Sequence, residues 1–147
     1  MPRIALSALL LLCAPLLAAA DDWRASEAVQ GSFADTRDAV VTAIENRGLV
    51  INASSHISDM LDRTGSDLGT SRRIYEKAEI LEFCSAALSR QMMETNPHDI
   101  VNCPFSIAIY TLAGQPATTW VGYRRQAGQS AAAIEKMLAD IVAEALH

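Results

Sequence analysis

Cys84 and Cys103 are the residues of this chain with the most chemistry to offer. Cys84 closes the apolar run Glu79-Ile80-Leu81-Glu82-Phe83-Cys84, and Cys103 opens the next one, Cys103-Pro104-Phe105-Ser106-Ile107. Three chemistries suit such a pair. In an oxidising compartment two cysteines form a staple, and closing a loop of about twenty residues contributes on the order of 3 kcal/mol in the chain-entropy account. A reversible disulfide for thiol exchange is the second. Cys84 stands directly before a helix that Ser85 can cap, and free N–H groups at a helix start favour a thiolate. Glu82, on the same face of the strand, opposes this by repulsion, and no Cys-x-x-Cys is present. The third is a soft-ligand centre. Thiolates suit copper(I) and zinc, and His56, His98, Met92 and Met93 add nitrogen and sulfur ligands, so copper, zinc or haem are the cofactors the set admits. The spacing Cys-x-x-Cys-His for covalent haem attachment is missing. Against this, an exposed histidine is more often solvated than ligating, and Met92, one helical turn from Leu88, reads equally well as core. Glu82, Ser85 and Pro104 flank the two thiols as a second tier.

Other catalytic schemes find less support. No serine lies in a Gly-x-Ser-x-Gly setting. Glu79 and Glu82 are three apart, which on a strand turns them to opposite faces and rules out a paired-carboxylate site. The residues favour a binding or exchange protein over an enzyme.

The compartment follows from the first twenty residues. Arg3, an apolar run broken by Ser7 and Pro15, and Ala18-Ala19-Ala20 before Asp21-Asp22 have the three parts of an export signal. Cleavage is expected after Ala20, which removes Cys13 and delivers residues 21–147 to the periplasm or the medium. The apolar run falls short of the about 20 residues a membrane span needs, so no membrane attachment is expected after cleavage. Loss of Arg3 deepens a formal charge that is already −5. An acidic chain whose basic pairs are Arg72-Arg73 and Arg124-Arg125 has no footprint for phosphate backbones, so nucleic acid is not an expected partner.

The elements that must position the thiols can be read from periodicity. Residues 21–28 are polar and without period and read as a mobile leader. The domain proper is expected over residues 29–147. A short strand over residues 29–34 is followed by a helix that Asp35 can cap, with Val40, Ala43 and Ile44 on one stripe and Gly48 as its left-handed terminator. Residues 49–57 alternate as a half-buried strand. Ser58 can cap a brief helix through Leu61, and residues 64–71 are loop. Residues 74–84 form the strand ending at Cys84, with Glu79, Leu81 and Phe83 on one face and Ala78, Ile80, Glu82 and Cys84 on the other. A helix over residues 85–95 stops at Asn96-Pro97. Residues 105–112 and 118–124 are strands joined as a hairpin. Residues 130–146 form the clearest element, a helix with Ile134, Met137, Leu138, Ile141, Val142 and Ala145 on one stripe. Trp120 and Tyr123 read as sheet packing, with Trp120 a dimer contact. The order β-α-β-β-α-β-β-α implies an α+β fold, a mostly antiparallel sheet with helices packed on one face.

The run Tyr75-Glu76-Lys77-Ala78-Glu79-Ile80-Leu81-Glu82-Phe83-Cys84, followed by a helix and then Asn102-Cys103-Pro104-Phe105-Ser106-Ile107, resembles the family called domain of unknown function 302. The helix over residues 33–48 and the strand after it fit the same pattern, and the resemblance spans residues 29–146. It implies a TATA-binding-protein-like α+β fold and a homodimer, and it implies no activity. Nothing about DNA follows from the fold analogy, because fold does not decide function. It also implies that the strands flanking the cysteines are antiparallel neighbours, with both thiols at one end of the sheet. The reading that results is an exported binding protein with a two-cysteine metal, haem or thiol-redox site. The alternative is a periplasmic interaction module, stapled by a Cys84–Cys103 disulfide, that meets an unknown protein partner.

Overall fold

The computed structural model describes residues 23–147. The expected export signal over residues 1–20 and Asp21-Asp22 lie outside them. No helix among the described residues is long and apolar enough to cross a membrane.

Five strands form one antiparallel sheet: β1 (Arg24–Gln30), β2 (Val50–His56), β3 (Tyr75–Cys84), β4 (Phe105–Leu112) and β5 (Thr118–Arg124), in spatial order β1-β5-β4-β3-β2. The helices are α1 (Phe33–Glu45), α2 (Ile57–Gly65), α3 (Ala86–Thr95) and α4 (Ala131–Leu146), with a 3₁₀ segment at Pro97–Asn102. This is the expected α+β arrangement. The alternation along β4 is regular, with Phe105, Ile107, Ile109 and Thr111 buried and their neighbours half-buried. Phe105, Ile107 and Ile109 meet Leu81 and Phe83 from β3, Val40 and Ile44 from α1, Met92 from α3 and the Ile134-Leu138-Ile141 stripe of α4 in one core. α1, α3 and α4 therefore share one face of the sheet, and the other face carries no helix of that core.

Three local expectations are corrected. Residues 23–28 are not a mobile leader, because Arg24–Gln30 pairs with β5 throughout, from Arg24 opposite Arg124 to Gln30 opposite Thr118. The strand expected over residues 29–34 therefore ends at Gln30 and starts at Arg24, with Phe33 and Ala34 already in α1; an edge strand needs only one half-apolar face, so its polar first half did not show. α1 is capped by Ser32 rather than Asp35: the Ser32 hydroxyl accepts the Asp35 N–H at 3.1 Å. Ser58 does not cap α2 but sits inside it, buried, with its hydroxyl accepting the Ala78 N–H at 3.1 Å. β2 has ended by that point, and the hydroxyl takes over the ladder bond that β3 would otherwise lack.

Glu79 is the charged residue that most constrains this packing. It points to the helix face and is 7 % exposed. The Ser54 hydroxyl donates to it at 2.5 Å and the Arg37 guanidinium of α1 at 3.4 Å. Burial by itself would push its carboxyl up, yet the hydrogen bonds from Ser54 and Arg37 outweigh that and hold it below the usual range. A carboxyl whose folded pKa is depressed adds stability above its unfolded pKa and loses it as pH falls through the folded value. Urea midpoints should therefore fall below about pH 4, and Glu79→Gln should flatten that fall. At neutral pH Arg37→Ala should cost about 1–3 kcal/mol, toward the low end because the arginine is partly exposed and screened.

Candidate functional site

β3 and β4 are paired so that Phe83 faces Phe105. Cys84 is the next residue on one strand and Cys103 lies two residues before its partner on the other, so both thiols sit at the same end of the sheet. α3 and the 3₁₀ segment form the excursion between them. Ser85 caps α3 by accepting the Leu88 N–H, and the Cys103 N–H closes the 3₁₀ segment on Ile100 O at 3.0 Å. The Cys103–Pro104 peptide is cis.

Both cysteines are free thiols, each half-buried, and both line one hollow of about 380 Å³. Its other walls include Val50 and Asn52 from β2 and Ser89 and Met93 from α3. The Ser89 hydroxyl lies 3.3 Å from the Cys103 sulfur. Burial pushes the Cys84 thiol above its ordinary value, and the adjacent Cys103 sulfur pushes it further. Cys84 therefore rests as a thiol near neutral pH despite standing at a helix start.

The remaining sequence candidates are dispersed. β2 places Val50 opposite Cys84 but His56 opposite Glu79, so about 20 Å of strand separates His56 from the thiols. His98 is exposed on the 3₁₀ segment. Met92 is wholly buried in the core, where its sulfur accepts from Asn102 Nδ2 at 3.8 Å. Glu82 is on the open face of the sheet, between Ala53 and Ser106, and Ser85 is buried as a cap. Among the described residues no group of three or more His, Cys, Asp or Glu could hold a metal ion.

The structure brings to the thiols two residues that sequence reasoning did not place there, Ser89 and Asn52, and it selects between the two methionines that the sequence offered. Met93, not Met92, is the thioether on the hollow. Ser89 follows Ser85 by one turn of α3, a spacing that could have pointed to it. Asn52 is the extra residue of a β-bulge between Ile51 and Ala53, which leaves it without a β3 partner and on the wall of the hollow.

The comparisons with known proteins fit this fold. No curated protein matches the chain. A crystal structure of an uncharacterized conserved DUF302 protein from Bacillus stearothermophilus superposes with a TM-score of 0.70 at 16% sequence identity, covering 84% of this chain and 98% of that one. At that identity the likeness is one of fold. The family profile for the domain of unknown function DUF302 matches residues 25–147, and the chain belongs to that family.

Proposed function

We propose that Cys84 and Cys103 are the working pair of an exported thiol-exchange protein. One observation carries this reading: two free thiols share a single solvent-connected hollow at one end of a rigid sheet. In the reaction the two thiols lose two protons and two electrons and form one S–S bond. The electrons pass to a disulfide substrate, which leaves as two thiols. Cys103 is the sulfur that attacks, since the Ser89 hydroxyl can donate to its thiolate. Cys84 is the resolving thiol, protonated until the mixed disulfide forms. Residues 1–20 act as the export signal that delivers the pair to an oxidising compartment.

A second reading has one observation in its favour. Met93 adds a thioether to the same hollow, and two thiolates with a thioether make a soft set suited to copper(I).

Intact-mass measurement in glutathione buffers of graded potential tests the first reading. The chain should lose two hydrogens reversibly, with a mature N-terminus at Asp21. Its melting temperature should change little on reduction, and Cys103→Ser should slow mixed-disulfide formation far more than Cys84→Ser. A staple would instead resist reduction and cost on the order of 3 kcal/mol when reduced. Oxidation should quicken as pH rises above neutrality, because Cys84 must lose its proton. Copper(I) competition with a chromophoric chelator tests the second reading, and Met93→Leu should weaken any uptake while leaving disulfide formation intact.

A further inference from the structure

The face of the sheet opposite the core has an order that the thiol site does not use. Three rows of side chains cross it, fixed by the strand register. The middle row runs Ser26, Gly122, Ala108 and Ile80 from β1 to β3, small along its first three positions and closed by the isoleucine at the β3 end. Beside it runs an aromatic row in which Trp120 faces Tyr110, their rings stacked at 6.3 Å with Tyr75 edge-on to Tyr110 at 5.6 Å. On the other side Arg24 of β1 is directly opposite Arg124 of β5. The result is a trough of about 350 Å³ with a small-residue floor, an aromatic wall and a cationic rim.

Each feature is shaped by the backbone. At Gly122 a Cβ would lie 2.8 Å from Ala25 O, so glycine both lets β1 approach and leaves the floor bare. Like charges directly opposite on paired strands are destabilising. Among the described residues neither Arg24 nor Arg124 meets a carboxylate, and Arg24 instead lies over the Trp23 ring at 5.4 Å. Arg24 and Arg124 both line the trough; burial pushes the Tyr110 hydroxyl up, Tyr75 adds to this, and the charge of Arg24 opposes it. In an acidic chain, two arginines face to face without a carboxylate complement an anion.

We infer that this trough binds a small planar aromatic anion, its ring against Tyr110 and Tyr75 and its carboxylate between Arg24 and Arg124. The volume is that of a small-molecule site, and paired guanidinium groups match a carboxylate geometrically. The site is separate from the thiols and does not depend on their role.

Titration of the purified chain with 2-naphthoate, and with 2-naphthamide as its neutral match, tests this by calorimetry and by amide chemical shifts. The acid should bind roughly tenfold or more tightly than the amide, because its carboxylate accepts charge-assisted hydrogen bonds that the amide cannot. Shifts should be confined to β1, β5 and the Tyr75 and Tyr110 region. Arg124→Gln should remove the preference for the acid without lowering the melting temperature, since it also relieves a like-charge pair. Ala108→Leu should block both probes. Equal affinity for the two probes, binding by neither, or a concentration-dependent dimer that shields Tyr110 and Trp120 would overturn the proposal. So would an Arg124→Gln variant that still prefers the acid.

Discussion

Phe83 and Phe105 face each other across the β3–β4 ladder, their rings edge-on at 6.4 Å and both buried. An aromatic pair of this kind contributes beyond its buried area, and it locks the register of the two central strands. Everything else is referred to that register. A slip of one residue would turn Leu81, Phe83, Ile107 and Ile109 out of the core. It would also separate the residues that follow Phe83 and precede Phe105. The thiols thus owe their proximity first to hydrophobic packing one and two residues away.

The same register sorts the charges. Glu79 and Glu82 stand three apart on β3 and fall on opposite faces: one anchors α1 through Arg37, while the other stays on the open side. On the helix face the buried charge has specific partners, as burial demands, while the buried Thr111 hydroxyl is left without one. On the open face the polar groups stand at the margins of an aromatic and small-residue surface. A sheet covered on one side can keep its second side for binding, because the core on the first side already stabilises it.

Much of this was legible in the sequence. The strict alternation of Phe105–Leu112 and the stripe of Ala131–Leu146 gave those elements almost to the residue, because one buried face imposes one period. β1 was legible only in its last two residues, Val29 and Gln30, because an edge strand meets the core along a narrow strip and has little apolar pattern to show. The bulge at Asn52 left no local mark, and two adjacent methionines on a helix differ by a rotation that only packing resolves. The trough was out of reach for a further reason. Its walls come from Arg24, Tyr75, Tyr110 and Arg124, whose juxtaposition exists only once four strands are in register.

The sheet order has a kinetic side. β1 and β2 are the first two strands in the chain but occupy opposite edges, with α1 crossing between them. β4 and β5 close through a short turn, whereas β1 must find β5 across a separation of 88 residues at its nearest hydrogen-bonded side chains. Closing so long a loop is entropically costly and is compensated only after the intervening chain is already ordered. Pairing of the amino-terminal strand therefore carries the largest loop-closure cost of any ladder in this sheet. Since that strand carries Arg24 and one bank of the trough, the occupancy of the open face and the local unfolding of this edge are thermodynamically linked.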